Sequence, residues 1–506
     1  MRVIKSLDTI INKSCTDNVK TIRKLKLIEI SALLVLSLIT ITICSKSSPL
    51  YPFNNWVDPN CLFTVGKAVL NGKVMYRDIY EQKGPLLYFI HTLAYLISNT
   101  TFLGVYILEI ISCFGFLLIS YKICLLFTDN IMYLFPVYCL CIYASRAFEQ
   151  GDSAEELCLP LIALSFYFGI KCILQNEHIK YSSWFAIGVT SGAVLWIKFS
   201  LLGFYIGFGF FMLFMYLKNK WNKELLFSFL MLFLGIIAIS APVFIYFICN
   251  NSVNDLFKVY FYDNIFMYAV EDDKNKLIQL ITHWYIGLRN LISIYLICCT
   301  FIFISCIFLW FRTKLLLLFY TLTFIFSFAF VFCGNCRAIY YCLIFSVFMP
   351  LGIIVIKILL SNSFQRKNMN TVYLFPLTLI SSCILLFFLS PNTYLIKYSK
   401  EDLPQYKFAQ IISQKEDATL LNYGWLDIGL YTVADITPNC KYFCGLNSRN
   451  PDIMDTQNDY VNNGKVDFIV TIYECDFELY DCIDIITFEN QKNTETTYYL
   501  YQLKNS

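Results

Sequence analysis

Long apolar runs alternate with short charged turns from residue 27 to residue 389, a pattern that predicts helices crossing a bilayer. Such runs fall at 27–44, 101–121, 130–147, 157–174, 184–197, 200–217, 225–249, 290–311, 315–333, 339–361 and 371–389, which predicts about eleven spans. One further run, Pro85–Ile97, is only about thirteen residues long and is read as re-entrant or interfacial. Beyond residue 390 the pattern changes. The stretch 405–414 has helical periodicity, and 419–422, 468–473, 483–488 and 497–503 read as strands, so a small α/β domain is expected. The predicted organisation is a cytoplasmic segment at 1–26, a polytopic α-helical membrane domain at 27–389 with a long outer loop at 45–100, and an extracytoplasmic α/β domain at 390–506.

Composition agrees with lipid as the main solvent: 58% of residues are hydrophobic and 15% charged, where soluble domains carry about 25% charge. A net charge of +3, with basic residues dispersed between the runs, argues against a nucleic-acid partner. Of the 21 cysteines, Cys44, Cys113, Cys124, Cys298 and Cys299 sit inside apolar runs and act as small hydrophobes. Cys440 with Cys444, and Cys475 with Cys482, lie in the tail, where an oxidising compartment allows bridges whose connectivity the sequence leaves open. The first run follows a polar stretch and lacks a small-residue cleavage site before Ser45, so it is expected to remain as an anchor.

Charge sets the expected orientation. Arg2, Lys5, Lys13, Lys20, Arg23, Lys24 and Lys26 precede the first span and place the N-terminus in the cytoplasm. If Pro85–Ile97 does not cross, four later basic turns also fall inside: Lys171 with Lys180, the Lys218 to Lys223 group, Arg312 with Lys314, and Arg366 with Lys367. If it did cross, Lys122 would land outside and the acids between Glu149 and Glu156 inside. An odd number of crossings then puts the tail outside the cell membrane.

The ionisable groups gather in the outer loops. The first loop carries Asp58, Lys67, Arg77, Asp78, Glu81 and Lys83 among aromatic residues, ahead of a helix whose N-terminus favours an anion. A second cluster holds Arg146, Glu149, Asp152, Glu155 and Glu156, acids that also suit a helix N-terminus. Lys198 ends a span, Arg337 precedes Tyr340 and Tyr341 at a third outer turn, and Glu109 stands alone within a span. Tyr340 and Tyr341 equally fit an interfacial aromatic belt. No phosphate-binding glycine loop or His-x-x-x-His pair is present, and Cys333 with Cys336 lack partner ligands for a thiolate metal site. What remains is an outward carboxylate site with cations suited to phosphate.

This arrangement resembles the GT-C superfamily of membrane glycosyltransferases, which includes protein O-mannosyltransferases and the aminoarabinose transferases that modify lipid A. Asp58 matches the acid of the family's long first outer loop. Tyr80, Glu81, Gln82, Lys83, Gly84 and Pro85 look like its aromatic-Glu-Lys-Pro element, with Gln82 and Gly84 interposed. The stretch from Asp152 to Glu156 looks like the second acidic element, but Leu159 directly precedes Pro160, so the equivalent acid is left open between Asp152 and Glu156. The resemblance covers roughly residues 27–250 and is not extended to the tail. It implies transfer of a sugar from a polyprenyl-phosphate donor to an extracytoplasmic glycan, lipid or protein. Asp58, Glu81, Asp152 and Glu156 are then the catalytic candidates, and Arg77, Lys83, Lys198 and Arg337 the candidates for donor phosphate. The acidic cluster is also a candidate holder of a divalent ion, a requirement the sequence leaves unknown. Tyr423, Trp425 and Tyr442 in the tail are candidates for acceptor selection, or are core residues.

Two other classes compete. A lipid-linked glycan flippase or transporter should carry charges along a path within the spans, and often duplicated halves, whereas here charges cluster at loop ends. A surface-polysaccharide polymerase or ligase would use an oligosaccharide-diphosphate donor. The predicted topology is checked with single cysteines at residues 99–101, expected to react with an impermeant maleimide added outside. Labelling only from the cytoplasm would invert it.

Overall fold

The structure, a computed structural model, describes residues 25–268, 275–334, 338–366, 374–446, 448–491 and 493–504. Helix α1 (Leu27–Cys44) begins with Glu29 accepting the Lys26 amide at 2.9 Å. The long outer loop that follows contains α2 (Val57–Leu70), ten of whose fourteen residues are buried, and α3 (Pro85–Ile97), the short run expected there. Several of its charged residues, Lys46, Lys67 and Glu81 among them, face protein rather than water. The α2–α3 contact is close, since a Cβ on Gly66 would lie 2.8 Å from the His91 carbonyl carbon.

The bundle continues through α4 (Leu103–Leu125), α5 (Phe135–Tyr143), α6 (Ala154–Gln175), α7 (Tyr181–Lys198), α8 (Gly203–Lys218) and α9 (Asn222–Cys249). It is completed by α10 (Lys276–Ile294), α11 (Leu296–Arg312), α12 (Lys314–Val331), a 3-10 segment Ile339–Phe348 leading into α13 (Pro350–Arg366), and α14 (Leu374–Leu389). Each of the eleven predicted runs thus contains a helix. By length and apolar character, however, six continuous stretches are able to span among the described residues, or eight if each bent pair counts once. The bent pairs are α10 with α11, at 98°, and Ile339–Phe348 with α13, at 57°. The expected span at 290–311 therefore runs across a sharp break at Tyr295 instead of forming one straight rod.

One of the six stretches, Tyr181–Lys218, has 38 residues. It doubles back on itself, because Trp184 Nε1 donates to Tyr216 Oη at 2.8 Å. A straight helix would separate those residues by about 48 Å at 1.5 Å per residue. The fold-back at the 3-10 turn Phe199–Leu202 makes α7 and α8 two antiparallel passes and sets Lys198 at their common end.

Small residues let α7 approach α9 at backbone distance. A Cβ on Gly188 would meet the Leu232 carbonyl oxygen at 2.1 Å, and one on Gly235 would meet the Phe185 carbonyl oxygen at 2.2 Å. Gly188 and Gly192 form the small-xxx-small spacing by which helices associate in lipid, where hydrophobic burial gives no drive between them.

The tail is an α/β domain. Its four strands, β1 (Leu420–Asn422), β2 (Phe468–Thr471), β3 (Tyr480–Gln491) and β4 (Thr494–Leu503), pair in the order β1-β2-β4-β3. β1 and β2 are parallel and the other pairs antiparallel. Helix α15 (Pro404–Ile412) fits the periodicity at 405–414, whereas α17 (Asp452–Asn462), which follows the short α16 (Leu430–Val433), was not anticipated among its many polar residues.

The tail is seated on α2. Thr64 donates to Asp427 at 2.6 Å, and Lys67, fully buried, pairs with Asp435 and donates to the Tyr431 carbonyl, both at 2.8 Å. Burial lowers the Lys67 pKa, and Asp435 opposes that shift. Asp427 is pushed up to about 6 by burial.

The α7–α9 contact yields a stability prediction. Gly188→Val or Gly235→Val is expected to force the helices apart at a cost of about 1–3 kcal/mol, read as a lower melting temperature of the purified protein in detergent. Gly209→Ala, with open space around its Cβ position, is the control and should leave the melt unchanged.

Candidate active site

The site is built where α2, α3, α7 and the Ile339–Phe348 segment converge. Asp58 is in the first turn of α2, where a carboxylate complements the helix dipole. Its Oδ1 lies 3.4 Å from Lys83 Nζ, and its Oδ2 accepts the Tyr340 hydroxyl at 2.8 Å. Lys83 is held from behind. Its amide donates to Glu81 Oε2 at 3.0 Å and to the Tyr88 hydroxyl at 2.9 Å, while the Tyr88 hydroxyl itself donates to Glu81. Its ammonium lies 3.8 Å from Glu81 Oε1. Burial opposes the Lys83 charge, but Asp58 and Glu81 outweigh that and raise its pKa above the ordinary lysine value.

Gly84 couples this segment to α7. A Cβ there would lie 2.1 Å from the Trp196 carbonyl oxygen, so only glycine lets the chain pass the end of α7 at this distance. Two residues beyond Trp196, Lys198 pairs with Glu155 at 2.5 Å and stands 3.5 Å above the Tyr341 ring, a cation–π distance. Tyr340 and Tyr341 are in edge contact, 5.2 Å between centroids. The result is one continuous network: Glu81, Lys83, Asp58, Tyr340, Tyr341, Lys198 and Glu155.

Exposure divides the network by role. The side chains of Asp58, Lys83 and Lys198 are 19%, 27% and 23% exposed, whereas those of Glu81 and Glu155 are 4% and 0% exposed. Two ammonium groups and one carboxylate can therefore meet a ligand. The other two carboxylates hold the cations in place.

The remaining predicted residues sit elsewhere. Asp152 and Glu156 are buried in a separate knot: the Asp152 amide donates to Glu109 Oε1 at 2.8 Å and to Glu156 Oε2 at 2.9 Å, and Ser45 donates to Glu109 Oε2 at 2.7 Å. Asp152 Oδ2 lies 2.9 Å from His91 Nε2. Since His91 Nδ1 faces the Leu87 carbonyl at 2.8 Å, which can only accept, Nδ1 donates, and Nε2 and Asp152 Oδ2 share a second proton between them. Burial works against a charge on the ring, yet Asp152 and the Leu87 carbonyl raise the His91 pKa. The acid of the 152–156 stretch that reaches the network is thus Glu155, not Asp152 or Glu156. Ser153 caps α6 by accepting the Glu156 amide, which turns successive acids to different sides.

Arg77 is exposed and held by Asp78, at 2.9 Å from both Nε and Nη2, and by the Asn250 carbonyl at 2.8 Å. Arg337 lies outside the described residues. Of the three predicted phosphate cations among the described residues, Lys83 and Lys198 are placed in the network. Among the described residues no three His, Cys, Asp or Glu side chains converge as a metal-ligand set. The acids of the second cluster turn instead to protein donors.

Sequence reading left Glu155 undecided within the 152–156 acids and passed over Tyr340, Tyr341 and His91 as site-building residues. The two tyrosines carried a signal, their position beside Arg337, but an aromatic belt explained it equally well. Of the tail aromatics, Tyr442 is buried with its ring centroid 5.0 Å from that of Tyr80, Tyr423 donates to Asn458 at 2.8 Å, and Trp425 is 38% exposed.

In comparisons of sequence, no family model and no curated protein matches the chain. In comparisons of structure, the fold is similar to that of ArnT from Cupriavidus metallidurans bound to undecaprenyl phosphate, with a TM-score of 0.58 and 10% identity over 94% of this chain and 97% of that one. The apo state of the same protein gives 0.57 and 12% identity over 88% and 92%. An Archaeoglobus fulgidus oligosaccharyltransferase aligns with a TM-score of only 0.35, which supports no argument. Because 94% coverage leaves out fewer residues than the tail contains, the likeness reaches into the C-terminal domain, which corrects the expectation that it would stop near residue 250. The chain has a GT-C-like fold.

Proposed function

We propose that the protein is a membrane glycosyltransferase that moves a sugar from a polyprenyl-phosphate carrier to an acceptor on the outer side of the cell membrane, with its N-terminus cytoplasmic. The observation that carries this reading is the network itself. One reachable carboxylate, Asp58, stands between two reachable ammonium groups, Lys83 and Lys198, with carboxylates and tyrosines behind them. The similar ArnT structure, with undecaprenyl phosphate bound, makes a lipid phosphate the ligand class of choice.

An apolar groove supports the donor assignment. It has a volume of about 580 Å³ and is lined by Leu86, Phe89, Ile239, Pro242, Val243, Ile245 and Tyr246, between α3 and α9. Leu86 is three residues from Lys83, so an isoprenoid in the groove would bring its phosphate toward that ammonium. The expectation that the α3 N-terminus would lend its amides to the phosphate is weakened: Pro85 has no N–H, Leu87 donates to the Gly84 carbonyl, and the Lys83 amide is taken. The ammonium groups are the anion donors.

In the proposed reaction Asp58 accepts the proton of the acceptor hydroxyl as that oxygen attacks the anomeric carbon. The bond from that carbon to the phosphate oxygen breaks, and Lys83 and Lys198 stabilise the charge gathering on the departing phosphate. Tyr340 orients Asp58, and Glu81 orients Lys83. Asp152 and Glu156 act in this reading by shaping the α6 end that presents Glu155.

In a donor-saturated assay with purified protein, Asp58→Asn is expected to bind the lipid phosphate normally and to lose about a hundredfold to ten-thousandfold in turnover. Retention of more than a tenth of wild-type turnover would remove the base assignment. Lys83→Ala should chiefly weaken donor binding, measured with undecaprenyl phosphate. Tyr340→Phe gives up one hydrogen bond worth about 1 kcal/mol, so turnover should fall less than about tenfold with donor affinity unchanged. A loss as deep as that of Asp58→Asn would give Tyr340 a direct part in the chemistry.

A further inference from the structure

The seam between α2 and the tail contains a pair of thiols. Cys61 and Cys444 are 1% and 0% exposed, and their Sγ atoms lie 3.8 Å apart. They are separated by 383 residues of chain, one belonging to the helix that carries Asp58 and the other to the tail. Polar contacts fix the seam around them: Thr64 with Asp427, and Lys67 with Asp435 and the Tyr431 carbonyl. Gly429 is pressed against α2, where a Cβ would meet Asn60 Oδ1 at 2.7 Å.

The sequence left the connectivity of Cys440, Cys444, Cys475 and Cys482 open. The structure separates their roles: Cys440 Sγ donates to the Tyr442 carbonyl at 3.5 Å, whereas Cys444 faces Cys61. Cys482 is exposed with its Sγ 3.8 Å from the Asp484 carbonyl.

We propose that Cys61 and Cys444 form a reversible disulfide that fastens the C-terminal domain to the helix bearing Asp58. The arrangement described is its dithiol form. A disulfide requires the two sulfurs to close to about 2.0 Å, a movement of under 2 Å from their 3.8 Å separation. The oxidant is a protein disulfide of the extracytoplasmic compartment. One cysteine thiolate attacks it, giving a mixed disulfide and releasing one oxidant thiol. The second thiolate then attacks the cysteine sulfur of that mixed disulfide and releases the other. Two thiols of this chain are oxidised, the oxidant leaves as a dithiol, and two protons pass to it. Because both thiols are buried once the domain is seated, exchange occurs before seating or when the tail lifts. Asp58 is one helical turn from Cys61, so the bond sets how firmly the tail backs the proposed base.

This inference rests on the tail lying outside, as in the proposed function, and the test separates the two. Full-length protein is alkylated with N-ethylmaleimide in its native membranes, then denatured in excess reagent without reductant, digested and analysed by mass spectrometry. In parallel, intact cells are treated with an impermeant maleimide to label Cys482. The expected result is external labelling of Cys482 together with a Cys61–Cys444 linked peptide that vanishes after reduction. Reductant should lower the melting temperature of the wild type to that of the Cys61→Ser/Cys444→Ser double variant, while leaving the double variant unchanged. Recovery of Cys61 and Cys444 only as alkylated thiols, with Cys482 labelled from outside, overturns the disulfide and leaves the topology standing. Labelling of Cys482 only from the cytoplasmic side overturns the topology and the disulfide with it.

Discussion

Four helices are tied together at Asp152. Its amide is shared by Glu109 of α4 and Glu156 of α6, its carboxylate meets His91 of α3, and Glu109 in turn accepts from Ser45 at the end of α1. The backbone reaches this position through a tight turn with Glu149, Gly151 and Asp152 all at positive φ, a conformation costly for the two acids unless their surroundings enforce it. A Cβ on Gly151 would lie 2.4 Å from Glu109 Oε1, so the turn closes only around glycine. Buried charge this dense is tolerable because the His91–Asp152 pair and the backbone donors satisfy most of it.

From that knot the rest of the site follows. With α6 anchored at its first turn, Glu155 is fixed and with it Lys198, which the α7–α8 turn delivers from the opposite direction. The passage of Gly84 beside the Trp196 carbonyl brings Lys83 to the same place, and Tyr340 and Tyr341 close the circuit between the two lysines. Each lysine has a buried carboxylate behind it and a partly exposed ammonium in front. Such an arrangement holds cations ready for an anion with little reorganisation, the condition under which electrostatic stabilisation is most effective.

The tail is more than an appendage to this machinery. The Tyr80 amide donates to the Lys441 carbonyl at 2.9 Å, and the Tyr80 hydroxyl donates to Asp263 at 2.8 Å, so the segment leading to Glu81 and Lys83 is clasped between the tail and the chain following α9. Asn264 adds a hydrogen bond to the Gln82 carbonyl at 2.6 Å. A helix in the outer loop, the tail domain and the helical segment at 256–266 together hold the proposed donor-binding lysine.

Hydrophobic period and run length determined the apolar helices, the short α3 and the four tail strands, because lipid and a sheet core each impose a local pattern that a sequence carries on its face. Residue order also singled out Asp58, Glu81 and Lys83 as one group, through resemblance to a family element. Pairing was not local. Whether a helix is bent at Tyr295, whether Glu155 or Glu156 faces Lys198, and whether Cys444 meets Cys440 or Cys61 all depend on which surfaces lie opposite each other. Sequence reports the polarity of 46–83 without the partners of its charges. Only the packed chain supplies the buried donors and acceptors that let Lys67, His91 and Asp152 leave water.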